Sequence, residues 1–120
     1  QYAHARTCNV LRHAYELGYT EREITAASPS LLAEEEELAI LKSCAELPNI
    51  LLNAVETVEP HRIPVYVENT ASLFHKFYQK YRIVTDNREL SASRLLLTMG
   101  VRNSISICLD LLGVSSPEKM

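Results

Sequence analysis

Residues 88–112 read RELSASRLLLTMGVRNSISICLDLL, and the spacing of their apolar members decides the fold class. Leu90, Leu97, Val101, Ile105, Cys108 and Leu112 recur at steps of three, four or seven, which lines them along one stripe of a single long α-helix. Gly113 follows as a left-handed stop, with Val114 placed to pack back in the manner of a helix-end motif. Arg94 falls in phase with the stripe, one turn after Leu90 and one turn before Leu97. An arginine there is expected to be a paired interior charge that holds helices in register, not a ligand contact.

Upstream, the loop Thr85-Asp86-Asn87 separates this helix from a second long one, predicted from about His61 to Tyr81 on Ile63, Val67, Thr70, Phe74, Phe77 and Tyr81. Pro64 lies close to its start and predicts a distorted or delayed first turn. Pro48 is expected to open a short helix carrying Leu51, Leu52, Val55 and Val58. Before it, Ser28-Pro29 has the form of an N-cap followed by a first-turn proline, for a helix that begins there or only near Ala33 and runs through Leu38, Leu41, Cys44 and Ala45. The run Glu34–Glu37 suits a solvated helix start, where carboxylates offset the positive end of the dipole. The first segment repeats Ala3, Val10, Ala14 and Leu17, and Gly18 ends it. Nowhere do alternating β-branched runs point to a sheet. The prediction is an all-α bundle of about five helices, two of them long.

The composition agrees with one domain. The 120 residues are 47% hydrophobic and 22% charged, with only three Gly and five Pro, so disordered, collagen-like and disulfide-scaffold classes are excluded. No uncharged apolar run approaches the ~18 residues of a membrane span, and no signal-peptide pattern opens the chain, so no membrane partner is expected. Cys8, Cys44 and Cys108 are odd in number and far apart, which favours a reducing, cytosolic setting. The chain opens on Gln1 inside a helical pattern with no capping residue ahead of it, and is therefore expected to be part of a longer polypeptide.

The net charge of −3 argues against a generically basic nucleic-acid binder, but it is unevenly spread. Residues 16–59 carry ten Glu against Arg22 and Lys42. Residues 1–15 carry Arg6 and Arg12 with no acid, and residues 60–120 carry eight basic against five acidic groups. An anionic ligand is expected where the two basic ends meet, away from the acidic middle.

Catalytic and metal chemistry find little support. Of four histidines and three cysteines only His4 and Cys8 lie one helical turn apart, and two ligands do not close a metal site. No nucleophile elbow and no Gly-rich phosphate cradle occur. Two side stripes are more informative. On the first helix, Tyr2, Arg6, Asn9 and His13 form one polar face; on the fourth, His75, Tyr78 and Arg82 line one flank of the core stripe, and Arg62, Asn69, Lys76 and Lys80 the other. Rings mixed with cations suit an unpaired nucleic-acid strand, in which bases stack for about 1–3 kcal/mol each and phosphates meet the charges. On residue pattern alone a solvated face bordering a core accounts for the same residues, and a purely structural interaction domain stays open beside RNA binding.

The opening Gln1-Tyr2-Ala3-His4-Ala5-Arg6, the Phe74-His75-Lys76-Phe77-Tyr78 run with Ser93-Arg94-Leu95 beyond a short loop, and the ending Leu111-Leu112-Gly113-Val114-Ser115-Ser116-Pro117-Glu118-Lys119-Met120 together resemble the C-terminal helical domain of arginyl-tRNA synthetases. The resemblance runs over essentially all of residues 1–120. Asp-Ala-Leu-Arg, the element for which this DALR-type domain is named, is degenerate here: Met99-Gly100-Val101-Arg102 stands in its place and keeps only the arginine. Gly100 also weakens the helix by roughly 1 kcal/mol relative to alanine. Related helical domains occur in cysteinyl-tRNA synthetases and in the glycyl enzyme's β subunit, and the Met120 ending with the Tyr2–Arg6 opening favours the arginyl enzyme.

The resemblance implies an anticodon-binding domain of a class I aminoacyl-tRNA synthetase, docking the anticodon loop of tRNA(Arg). The parent enzyme would be a cytoplasmic ligase joining arginine to tRNA with ATP and Mg2+, in a catalytic domain whose ATP-binding signatures this sequence lacks. By the same analogy Tyr2, Arg6, Tyr78 and Met120 are the expected RNA-binding residues, with His75 and Asn103 as further candidates, and no catalytic or metal-binding residue is expected in this chain. A stand-alone, non-catalytic tRNA-binding protein of the same fold is the alternative.

Overall fold

A computed structural model describes residues 2–57 and 61–113. Among them are five α-helices: α1 (Tyr2–Glu16), α2 (Glu21–Thr25), α3 (Glu35–Glu56), α4 (Arg62–Lys80) and α5 (Arg88–Leu112), with a 3-10 turn at Pro29–Leu31 and no strand. The all-α expectation holds, but the five helices are partitioned differently from the prediction.

α5 is the axis of the bundle, touching every other helix and the 3-10 turn. Its first half is buried almost all round, with Ser91, Ser93 and Thr98 inside beside Leu95, Leu97 and Val101. The small hydroxyls survive there because each is bonded: Ser93 Oγ donates to Ser28 O at 2.7 Å, Ser91 Oγ to Asn87 O at 2.9 Å, and Thr98 Oγ1 to Arg94 O at 2.9 Å. Asn87 caps α5, accepting from Leu90 N at 3.2 Å, and Gly113 closes it at φ +73°. Val114 lies outside the described residues.

α1 ends as predicted. Gly18 sits at φ +100°, its N–H donates to Tyr15 O and the Tyr19 N–H reaches Ala14 O, both at 3.1 Å, so a left-handed residue ties off two carbonyls while Tyr19 packs inward. Arg88, opening α5, then fastens this corner. It forks onto Glu23 of α2 at 2.6 and 2.7 Å, donates to Gly18 O at 3.2 Å and stacks on Tyr19 at 4.1 Å.

Two sequence expectations are corrected. Of the two starts left open for the long helix the later is found: Ser28 and Pro29 cap and open the 3-10 turn, and the helix begins at Glu35. Pro48 opens no separate helix: it lies inside α3, exposed. Proline there forfeits one backbone bond, yet Ile40, Cys44, Leu47, Leu51 and Ala54 keep a single phase across it, so packing against α4 and α5 carries the helix through. The bundle thus has three long helices rather than two, and the fifth helix is the short α2, anchored by fully buried Ile24.

The second correction concerns Glu34–Glu37, of which only part is solvated. Glu34 and Glu37 form a reciprocal capping box. Glu36 pairs with Lys80 at 2.8 Å. Glu37 is 1% exposed and accepts from Arg94 Nε at 2.7 Å, while Arg94 Nη1 donates to Arg82 O at 2.8 Å. Arg94 is therefore the interior paired charge its phase predicts. Pro64 is the third residue of α4, where no N–H is required; the first bond, Val65 N to His61 O, is long at 3.4 Å. Gly100 lies in regular helix against Cys44.

By length and mean hydropathy α3 and α5 are each long and apolar enough to cross a membrane, and half of that stretch of α5 is buried in the bundle.

Candidate nucleic-acid interface

The first turns of α1 pack against the last turns of α4, and this contact assembles the site. Tyr2 meets His75, ring centroids 5.7 Å apart, and one turn further along both helices Arg6 lies between two rings, its guanidinium carbon 4.9 Å from the Tyr2 centroid and 4.5 Å from that of Tyr78. Arg6 Nη2 donates to the Tyr2 hydroxyl at 2.6 Å. Its Nε is buried, with no hydrogen-bond partner among the described residues. Tyr78 is backed by buried Phe74, centroids 6.0 Å apart. Tyr2 and Tyr78 remain 54% and 39% exposed, enough to leave stacking area open to solvent.

Four of the six expected residues are thus together: Tyr2, Arg6, His75 and Tyr78. Asn103 is not among them. It lies on α5, accepting from Arg102 Nε and Nη2 at 3.2 and 3.1 Å, and borders a groove of about 320 Å3 along the other flank of α1 with His4, Arg12 and Arg102. Met120 lies outside the described residues. His4 and Cys8 do make contact, Sγ to Nδ1 3.8 Å, but among the described residues no three potential metal ligands gather. Burial pushes the Cys44 and Cys108 thiols up, as expected of inert core cysteines.

Beyond Tyr78 the same interhelix seam opens into a groove of about 550 Å3. Arg6, His13, Leu17, Tyr78, Arg82 and Val84 border it, with Tyr81 as a further wall, and no described lining residue is acidic. Tyr81 faces the acidic middle of the chain with its hydroxyl, which donates to Glu34 at 2.6 Å and Glu36 at 3.0 Å; the Glu34 bond first, then burial and Glu36, push its pKa up to about 12.

The cations sort by location. Those facing the acidic middle are neutralised: Lys80 by Glu36, Arg88 by Glu23, Arg94 by Glu37. Arg88 and Lys80 hold the Glu23 and Glu36 carboxyls below their ordinary range. The predicted second flank of α4 therefore divides, Lys80 serving that ion pair while Arg62 and Asn69 border a separate α3–α4 groove with Glu46. Around the α1–α4 seam Arg6 and Arg82 have no carboxylate partner among the described residues. The first helix meets the C-terminal half of the chain, and no described residue lining the groove between them is acidic.

Comparison with known proteins adds the following. The family model for the DALR anticodon binding domain matches residues 1–120. The chain is 44% identical to the arginine–tRNA ligase of Desulforamulus reducens over 120 residues, 100% of this chain and 21% of that protein. It is 42% identical to that of Symbiobacterium thermophilum, again over its whole length and 22% of the relative. A crystal structure assigned to an arginyl-tRNA synthetase of Campylobacter jejuni superposes with a TM-score of 0.88 at 28% identity, covering 99% of this chain and 25% of that one. The chain spans about a fifth of the length of the curated relatives it matches.

Proposed function

The chain belongs to the DALR anticodon binding domain family, and from that premise we propose that it is the anticodon stem-loop binding module of an arginine–tRNA ligase. The ligase is the longer polypeptide of which relatives such as that of Desulforamulus reducens are examples. In it a catalytic domain outside this chain joins arginine to tRNA(Arg) with ATP and Mg2+, in the cytoplasm, and this bundle supplies the grip on the loop.

The observation that carries the reading is the Tyr2–Arg6–Tyr78 stack. Unpaired loop bases need aromatic surface, and both tyrosines keep part of theirs exposed while Arg6 packs against each ring. Arg6 has no carboxylate partner among the described residues, so its charge is available to a phosphate at the edge of the stack. His75 extends the platform beside Tyr2. Asn103, on the far flank of α1, and Met120 are secondary contacts in this proposal.

Tyr78→Ala tests it. Loss of one stacked base is worth about 1–3 kcal/mol, or roughly 5- to 150-fold in affinity for an anticodon stem-loop at fixed salt. Because Tyr78 is exposed, the helical circular dichroism should not change. Equal affinity of the variant and the parent removes Tyr78 from the site.

A further inference from the structure

We infer that the α1–α4 groove beyond Tyr78 is a second nucleotide site: it takes the neighbour of the base stacked on Tyr78, with the base on Leu17 and Val84 and the phosphate on Arg82 and His13. The inference rests on the RNA-binding reading above and extends it to residues outside the tyrosine stack.

Four observations carry it. The groove, at about 550 Å3, lies within the range of pockets that hold a small organic ligand. It is contiguous with the stack, since Arg6 and Tyr78 border both. Its walls pair an apolar strip with cations, the combination that a nucleotide needs, because a base must leave water as its phosphate finds a counter-charge. Leu17 is half exposed, so part of that strip is unburied in the free protein. Finally, its charge is unspent. Lys80, Arg88 and Arg94 each have a carboxylate, whereas Arg6 and Arg82 have none among the described residues. Arg94 fixes the Arg82 backbone through its carbonyl, so this wall is held in place before RNA arrives.

The test titrates the intact chain with an anticodon stem-loop hairpin, and with hairpins carrying one abasic residue at each loop position in turn, over a range of salt. Arg82→Gln should lower affinity several-fold and reduce the slope of log K against log salt by about 0.7, the loss of one single-strand phosphate contact. Leu17→Glu, which puts a carboxylate into the groove, should weaken binding about tenfold or more, while Leu38→Glu, at a similarly exposed position on α3, should not. Two abasic positions should weaken the parent chain, one losing its effect in Tyr78→Ala and the other in Leu17→Glu. Parent-like affinity and slope in both Arg82→Gln and Leu17→Glu overturn the inference, as does sensitivity to a single abasic position. If Tyr78→Ala is weak while those two variants bind normally, only the second site falls. If the parent chain does not bind the hairpin, the RNA-binding reading falls and takes the second site with it.

Discussion

Removing the Arg94 guanidinium should unfold the bundle more readily than any surface change, and the structure sets the size. Arg94 and Glu37 are 9% and 1% exposed in their side chains and meet at 2.7 Å, so neither charge has water to fall back on. Arg94→Met leaves the Glu37 carboxylate uncompensated inside, a loss of about 3–5 kcal/mol. It also frees the Arg82 carbonyl from its 2.8 Å bond and removes the cation lying 5.1 Å from the Tyr81 ring. For a domain of this size that corresponds to a melting point lower by roughly 10–20 °C. Glu37→Met should be similarly harmful, because it strands the guanidinium and opens the capping box of α3. The double variant has no buried charge to strand. It should lose only about 2–3 kcal/mol, from the cap and the Arg82 carbonyl, which is far less than the two single losses together. Urea unfolding followed by helical circular dichroism on all four proteins measures the cycle. Losses that add to within about 0.5 kcal/mol, or an Arg94→Met variant within 1 kcal/mol of the parent, would refute a charge pair isolated from solvent.

Gly100→Ala should stabilise the chain by up to about 1 kcal/mol, since a Cβ there meets only Cys44 Sγ at an ordinary 3.6 Å and the helix gains propensity; a lower denaturation midpoint contradicts this. The Glu23 and Glu36 carboxyls, held low chiefly by hydrogen bonds from Arg88 and Lys80, contribute stability above the ordinary carboxylate value of 4.5 that is lost as pH falls through their folded values. The melting point should decline below about pH 4.5, and less steeply in Glu23→Gln. Tyr81 works in the opposite direction: raised from 10 to about 12, its contribution is whole below pH 10 and disappears as pH rises towards 12, a decline that Tyr81→Phe should flatten.

The legible parts of this fold are those where one residue carries the information. Gly18 and Gly113 mark helix ends because their positive φ excludes most side chains, and Arg94 announces a buried partner by sitting in phase with leucines. Pro48 misleads because the cost of one missing bond is local, whereas the stripe that outweighs it spans Ile40 to Ala54. α2 escapes notice because five residues with a single buried isoleucine show no period. Glu37 hides in a run of four glutamates, and nothing local says that one of them turns inward to an arginine fifty-seven residues away.

The interface divides in the same way. Tyr2 with Arg6, and His75 with Tyr78 and Arg82, are readable as two stripes, each consistent with a plain solvated face. Their convergence depends on the start of α1 packing against the end of α4, which is tertiary information. His13 and Arg82 belong to those stripes, yet only the shared groove gives them a role distinct from that of the tyrosines.

The most direct measurement of the central claim is a backbone amide chemical-shift map of the chain titrated with an anticodon stem-loop. An RNA grip built on the α1–α4 seam predicts the largest changes at Tyr2, Arg6, Tyr78 and Arg82, with the Leu47–Glu56 stretch of α3 unmoved. Changes concentrated on α3, with the seam silent, would contradict it.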